Sequence, residues 1–391
     1  MSRTQIFILY FIAIFLQAGA YGLTFMLPRL FGSFDASEKV VGLMLAITAV
    51  TTIVTVYFSG HLSDIFGRLR TLGIACLAIS LSLYLYGAAR SAGADLVLAS
   101  VLLGYGWGLT YSLGPIVLTR LVKPTERVQS FALLSVFVMA GFGLSPVLAS
   151  LLEASGASVN DAFYITSGLC VISALLFFIL HKPIKENALN SVLEASSRIT
   201  VSSLSQVLKS PARAPIVMVF LGASVFAGLN NFQTVFADNR GLDYAVFFFV
   251  YTLVVVVFRL VLVKFKGGSN PYQTVAFLQY LMCASVVLFM FSGDSLVLYV
   301  SVAVFFGLGY GVSYPILVAM TANDAEEHLG PQTLQLFALS YFIGIFGFPL
   351  IAGWFIVEIG TTQLLALVAV LAGIEATIAL RRAITHKTSG K

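Results

Sequence analysis

The sequence predicts an all-α integral membrane protein, with twelve transmembrane helices in two six-helix halves. Three observations carry that prediction: a composition too apolar for water, twelve apolar runs of spanning length, and basic residues gathered on one side. Of the 391 residues, 59% are hydrophobic and only 10% charged, against about 25% charged in a soluble domain. Mean hydropathy is +0.97. A fold of this size in water needs polar cover that the chain cannot supply. Lipid removes that need. The net charge of +5 does not point to nucleic acid, because the basic residues fall in short loops rather than on one face. Cys76, Cys170 and Cys283 lie inside apolar runs, an odd set that reads as packing residues rather than a disulfide framework.

A helix crosses the hydrocarbon with about 20 apolar residues. The runs that qualify are approximately 5–27, 40–59, 71–90, 95–118, 128–151, 162–181, 214–236, 244–263, 273–291, 296–320, 334–357 and 362–381. The first extends from Ile6 to about Leu27. That exceeds the ~7–15 apolar residues of a signal peptide, and no small-residue cleavage site follows, so it reads as a retained membrane helix. The runs are too long for barrel strands and lack their alternation.

Charge sets the orientation. With the N-terminus inside, 18 of the 22 Lys and Arg residues fall on the inner side, and only Arg29, Lys39, Arg90 and Arg240 fall outside. The positive-inside rule then places both termini in the cytoplasm, with an even helix count. The multi-pass chain is expected in the cell (inner) membrane. One long polar stretch interrupts the pattern, so the domain reading is an N-terminal bundle over 1–181, a cytoplasmic linker over 182–213 and a C-terminal bundle over 214–391. Within the linker, Ser203–Lys209 is expected to form a short amphipathic helix on the membrane surface.

The halves repeat. The string from Leu103 to Tyr111 matches that from Phe306 to Tyr314 in three glycines and a tyrosine, 203 positions apart. The same offset carries Gly141 onto Gly344, Pro146 onto Pro349 and Ala149 onto Ala352. Parallel six-helix repeats are a transporter architecture with the substrate site at their interface. The glycines do not form a nucleotide fingerprint, which needs a strand, a loop and then a helix. No Walker lysine motif appears, so no cofactor and no ATP-driven step are expected. The four histidines show no metal spacing, so no metal site and no enzyme activity are expected.

Between the second and third helices stands Gly60-His61-Leu62-Ser63-Asp64-Ile65-Phe66-Gly67-Arg68-Leu69-Arg70. This string resembles the cytoplasmic signature of the major facilitator superfamily, G-x-x-x-D-x-x-G-R-x-[RK]. With twelve helices, two halves and a central loop, the resemblance covers the whole chain. Gly60 is expected to let two helices approach closely and Gly67 to permit a tight turn. Asp64 is expected to pair with basic groups, Arg120 among them, or to face the N-terminus of the eleventh helix near Gly330-Pro331. In the fifth helix, Gly141 to Ser150 is similar to the family's antiporter signature G-x-x-x-G-P-x-x-G-G, with Ser145, Ala149 and Ser150 at three glycine positions. Pro146 and its small neighbours are expected to bend the helix and allow close packing. The acidic segment Asn323–His328 is expected to pair with basic loops of the other half.

The resemblance implies that the first, fourth, seventh and tenth helices line the substrate cavity. Their mid-membrane polar and aromatic residues are therefore the substrate candidates: Gln17 and Tyr21; Trp107, Thr110 and Tyr111; Asn230, Asn231 and Gln233; Tyr310, Ser313 and Tyr314. Polar groups at that depth are costly unless they face protein or water. Ionisable groups there are few. Glu375, Glu153 and Glu358 are the proton-coupling candidates. For Glu375 the competing reading is an ion pair with Arg381 and Arg382, and both it and Arg259 can snorkel to the interface.

The expected function is alternating-access transport of a small organic solute, in the form of proton-coupled efflux of an amphiphilic compound. The alternatives are import or facilitated diffusion of a small solute and, more distantly, a membrane enzyme or sensor. The expected partners are a small-molecule substrate, protons and the lipid bilayer, with no nucleic acid and a monomeric chain. A membrane-impermeant thiol reagent added to intact cells is expected to label engineered cysteines at Asp35 and Gly293 and to spare those at Ser197 and Glu327; labelling of the last two would invert the topology.

Overall fold

The computed structural model describes residues 1–122, 127–186, 201–262 and 270–389. Of these, the side chains at 119, 120, 127, 128, 201, 262, 327, 331 and 386–389 lie outside the description. Among the described residues, twelve helices are long and apolar enough to cross a membrane. They match the twelve runs read from the sequence.

The first span is α1 (Arg3–Gly22), a 3₁₀ turn (Leu23–Met26) and α2 (Leu27–Gly32). Then follow α3 (Glu38–Phe66), α4 (Arg68–Ala88), α5 (Ala94–Leu121), α6 (Arg127–Ala154) and α7 (Val159–Glu186). The expected amphipathic helix forms as α8 (Val201–Lys209). The seventh span is α9 (Arg213–Asn230) with α10 (Gln233–Asp238), and the eighth and ninth are α11 (Tyr244–Leu262) and α12 (Pro271–Met290). The tenth joins α13 (Leu296–Phe306) to α14 (Val312–Asn323) through a π-helical turn, Gly307–Gly311. The eleventh joins α15 (Gly330–Phe342) to α16 (Phe348–Glu358) through another, Ile343–Gly347. The twelfth is α17 (Thr361–Ser389).

The chain divides into two compact units. One is Met1–Glu194 with Asp243–Val263; the other is Ala195–Leu242 with Lys264–Lys391. In the first, α4 packs on α5 and α7, α3 on α5, and α1 on α6 and α7; α11 joins this unit by packing on α6. The α6–α11 contact is close because Gly143 faces the Thr252 side chain. In the second unit, α12 packs on α13 and α17, and α9 on α15 and α17.

Lipid offers no hydrophobic drive between helices, so close packing and interhelical hydrogen bonds must hold them. Both are present. Tyr10 donates to the Gly114 carbonyl at 2.7 Å, Ser173 to that of Ala13 at 2.8 Å, and Ser82 to that of Ala99 at 2.7 Å. The close approaches are built twice. A Cβ on Gly141 would stand 2.7 Å from the Phe15 carbonyl oxygen and 2.8 Å from Ala18 Cβ; a Cβ on Gly344 would stand 2.7 Å from the Phe220 oxygen and 2.8 Å from Ala223 Cβ. Gly106 likewise lies against the Ala75 carbonyl, and Gly309 against that of Leu278. The offset of 203 read from the sequence thus relates glycines that make equivalent backbone contacts. These glycines are held by sterics rather than by φ.

Gly67 is the exception. It alone separates α3 from α4, at φ +83°, a conformation that side chains resist. Gly60 departs from its expected role. It is exposed, and among the described residues nothing lies within 4 Å of where its Cβ would be, because it sits on the outer face of α3.

Gly141→Val and Gly344→Val should each cost about 1–3 kcal/mol through overpacking, lowering the melting temperature in detergent by several degrees. Gly168→Ala, which has open space around it, should leave it unchanged. Equal melting temperatures for all three variants would show that the paired contacts carry no stability.

Candidate functional site

The first unit gathers its candidates around an aromatic cluster. The Tyr21 and Trp107 rings stack with centroids 5.0 Å apart, and Phe142 of α6 closes on both, at 4.4 Å and 5.4 Å. Tyr111, one turn along α5, reaches Trp107 at 6.5 Å. Phe25 stands edge-on to Tyr21 and stacks on Phe248 of α11 at 5.3 Å. Gln17 is buried one turn before Tyr21. Thr110 is buried too, but its hydroxyl donates to the Trp107 carbonyl of its own helix. The structure therefore brings together Gln17, Tyr21, Trp107 and Tyr111 and turns Thr110 inward. It adds Phe25, Phe142 and Phe248, which polarity alone could not single out.

In the second unit the amide cluster falls on a helix break. α9 ends at Asn230 and α10 begins at Gln233. The Asn230 and Asn231 amides donate back to the carbonyls of Phe226 and Ala227, four residues earlier, at 2.9 Å and 3.1 Å. Gln233 donates to the Tyr299 hydroxyl of α13 at 2.8 Å. Tyr310, in the π turn, stacks on Phe226 at 4.6 Å. Tyr314 lies apart, against Phe337 and Tyr341 of α15. Ser313 accepts from Gln279 of α12 at 3.1 Å and donates to the Tyr310 carbonyl.

The first and seventh spans are both interrupted before a short terminal helix, α2 or α10, at corresponding places in their halves. Interrupted helices at equivalent positions mark transporter binding sites. Around these interruptions, Gln17 Oε1, Trp107 Nε1, Asn230 Oδ1 and Gln233 Oε1 are buried and make no hydrogen bond. Most buried polar atoms in proteins find a partner. Two such exceptions among the solute candidates of each unit are the strongest chemical signal there.

The ionisable candidates separate cleanly. Glu153 accepts from Arg29 at 3.0 Å and from the Tyr244 hydroxyl at 2.7 Å, with the Arg29 guanidinium over the Tyr244 ring. Glu358 is exposed. Glu375 is fully buried, and its bond is to Gln279 Nε2 at 2.7 Å. The expected pairing with Arg381 and Arg382 does not form: Arg382 binds Asp324 at 3.2 Å, some two turns away. That ion pair also places Asp324 of the acidic segment within its own unit rather than with the other half. Neither Glu375 nor Arg259 snorkels; Arg259 is 4% exposed and donates to the Ser135 hydroxyl.

In the conformational motif, Asp64 is exposed and makes no ion pair among the described residues; the Arg120 side chain lies outside them. Arg68 and Arg70 open α4 directly after Gly67. Pro146 lies inside α6, where it withholds one backbone donor.

Comparison with known proteins identifies the class. The family model of the Major Facilitator Superfamily matches residues 9–349, and the chain belongs to that family. It is a multi-pass membrane transporter of a small solute, not an enzyme. Over 379 residues, 95% of both chains, it is 24% identical to the "Quinolone resistance protein NorA" of Staphylococcus aureus. It is 26% identical over 211 residues to the "Probable 4-methylmuconolactone transporter" of Cupriavidus pinatubonensis, an alignment that spans 48% of that relative's length and 52% of this chain. Its fold is that of the nucleoside transporter NupG (TM-score 0.75, 15% identity, 97% of this chain and 98% of that one). It is also that of the human organic anion transporter MFSD10 (TM-score 0.69, 16% identity, 97% and 100%).

Asn230→Ala removes an unmatched buried acceptor and should weaken solute binding about five- to ten-fold, the size of one net hydrogen bond of ~1–1.5 kcal/mol. The variant should elute as folded protein. Binding unchanged in both Asn230→Ala and Asn231→Ala would make the amides purely structural supports of the helix break.

Proposed function

We propose that the protein exports a small amphiphilic aromatic compound in exchange for protons. The observation that carries this reading is that each unit, taken by itself, pairs stacked rings with unmatched buried polar atoms near a helix interruption. Flat rings such as Tyr21, Trp107 and Phe142 favour offset or edge-on aromatic partners. Gln17, Asn230 and Gln233 offer acceptors and Trp107 offers a donor, each able to orient a solute by one hydrogen bond. A sugar-like solute would call for a denser set of polar groups than these candidates supply. The relative over the full length is named for quinolone resistance, and quinolones are fused aromatic acids. The partial antiporter signature from Gly141 to Ser150 supports exchange.

The remaining parts of the reading follow the sequence. The chain works in the cell (inner) membrane as a monomer, with both termini cytoplasmic, with bundles 1–181 and 214–391 and with the linker 182–213 between them. Glu375, Glu153 and Glu358 are its acids in or near the spans. Gly60, Asp64, Gly67, Arg68, Arg70, Arg120, Gly141 and Pro146 serve the alternation of access rather than solute contact.

Purified protein in proteoliposomes loaded with a fluorescent quinolone provides the test. An imposed pH gradient should drive net quinolone movement against its concentration, and Trp107→Ala should slow it at least several-fold. Movement that only relaxes the quinolone gradient would identify a facilitator. Absence of quinolone movement, with transport of another solute from a panel, would replace the substrate class.

A further inference from the structure

The second unit holds a buried polar cluster that meets the candidate solute residues at Ser313 and is centred on Glu375. Its carboxyl lies in the middle of α17 with no exposed surface. Three other spans meet it. Gln279 of α12 donates from Nε2 to Glu375 Oε1 at 2.7 Å and, from the same nitrogen, to Ser313 Oγ of α14 at 3.1 Å. On α9, Gly222 leaves the carboxyl room: a Cβ there would stand 2.9 Å from Oε1 and 3.0 Å from Oε2. Any larger residue at 222 would displace the acid.

The hydrogen-bond inventory of this cluster is one donor short. Glu375 Oε2 and Gln279 Oε1 are both buried and both lack a partner. Both are acceptors when the glutamate is ionised. A proton on the carboxyl supplies the missing donor and removes a charge that the surroundings do not balance. The other titratable groups on the packed elements are engaged elsewhere or distant along their helices. On α12, Tyr280 bonds Thr377, Cys283 bonds the Ala369 carbonyl and Tyr272 bonds Asp324. On α17, Arg382 binds Asp324, and Arg381 lies six residues on, at the exposed end. On α9, Arg213 sits at the first turn, more than two turns from Gly222. In the tenth span, Tyr310 stacks on Phe226 and Tyr314 lies tilted against Tyr341. On α16, Glu358 is at the exposed end.

We propose that Glu375, Gln279 and Ser313 form the proton-exchange site of this transporter, with Gln279 relaying the state of the carboxyl to α14. The proposal rests on the reading of proton coupling and names the group that does it. The Gln279 NH2 carries two hydrogens and serves Glu375 and Ser313 at once. An ionised Glu375 pulls that amide more strongly than a protonated one, so the charge on the carboxyl shifts the group that also holds Ser313. Ser313 sits immediately after the π turn and bonds the Tyr310 carbonyl, and the Tyr310 ring stacks on Phe226, one turn beyond Gly222 on α9. Gly222, Phe226 and Asn230 follow at intervals of four on one face of α9. The proton site thus shares two of its three neighbouring helices, α9 and α14, with the solute candidates. π turns recur at functional sites, and this one joins the two. The transfer balances simply: one proton is bound at a carboxylate oxygen from one side and released to the other, with no redox change.

Two measurements test this on the full-length protein in lipid. Infrared difference spectra between acid and alkaline buffer read the carboxyl C=O stretch without any transported solute. Wild type should show a protonated-carboxyl band that disappears in alkali. Glu375→Gln should lack it, and Gln279→Leu should shift its position and its titration. The second measurement is quinolone flux in proteoliposomes. Glu375→Gln should lose at least ten-fold of gradient-driven flux yet keep quinolone–quinolone exchange, and Glu375→Asp should recover part of the drive. A band that persists in Glu375→Gln, or that never responds to pH in wild type, overturns the assignment. If gradient-driven flux is intact in that case, coupling stands with another carrier. A wild type that moves solute but ignores the gradient overturns coupling and this site together. If quinolone is not a substrate, the infrared result still decides whether Glu375 exchanges a proton.

Discussion

The contact on which the structure depends is a backbone-to-backbone approach made through glycine. In the first unit Gly141 brings α6 onto the Phe15 carbonyl of α1; in the second Gly344 brings the eleventh span onto the Phe220 carbonyl of α9. In lipid the apolar side chains of two helices gain little by leaving solvent for one another. The association must come from dispersion over closely fitted surfaces and from hydrogen bonds between helices. A glycine supplies the first by removing the atom that would hold the axes apart. The second pair, Gly106 and Gly309, fixes the fourth and tenth spans' positions against α4 and α12 in the same way. Two such contacts per unit place the ring-bearing segments: Trp107 follows Gly106 directly, and Tyr310 follows Gly309. Packing and solute recognition are therefore written in adjacent residues.

The helix interruptions follow from the same constraint. A broken helix at membrane depth frees backbone groups that lipid cannot satisfy, so it is tolerated only inside protein. The chain meets this with side chains that cap locally. Thr24 donates to the Tyr21 carbonyl at 2.7 Å in the first span, and the Asn230 and Asn231 amides turn back on Phe226 and Ala227 in the seventh. Using the amide nitrogen in this way leaves the Asn230 oxygen over. The helix break and the unmatched acceptor are two consequences of one residue, which is why a structural support can also be a recognition group.

Much of the fold was legible because hydropathy and repetition are linear signals. The twelve spans, the amphipathic helix at Ser203–Lys209 and the single-residue turn at Gly67 needed no tertiary knowledge. The contact of Trp107 with Tyr111 was legible because helical spacing puts both on one face, whereas Tyr21 entered only through the family resemblance. What escaped the sequence depended on neighbours far along the chain. Phe142 and Phe248 look like ordinary lipid-facing phenylalanines until α1 meets α6 and α11. Gln233 stood with its neighbouring amides, yet its partner is Tyr299, 66 residues away. For Glu375 sequence proximity misled: Arg382 lies closer in sequence, but Asp324 holds it, while Gln279, 96 residues back, reaches the acid. Gly60 illustrates the reverse case, a residue whose motif role implies close packing but which lies on an exposed face of α3.

Among the described residues, the membrane spans bury one basic and one acidic side chain, Arg259 and Glu375, and the fold treats them in opposite ways. Arg259 cannot shed its charge, since a guanidinium stays protonated in proteins. It is therefore tied to permanent acceptors, the Ser135 hydroxyl and carbonyl of the adjoining α6. Glu375 can shed its charge, and it is given no cation, one amide donor and a glycine-lined space. Were Glu375 needed only to hold helices together, a glutamine would serve without the desolvation penalty that a carboxylate carries. The cluster keeps the acid, surrounds it with neutral groups and leaves one of its oxygens unmatched. A site arranged like this has two states, one with a proton and one without, and switching between them needs only the arrival or departure of that proton. The permanent charge anchors α11 to α6, and the removable one lies where α9, α12, α14 and α17 meet.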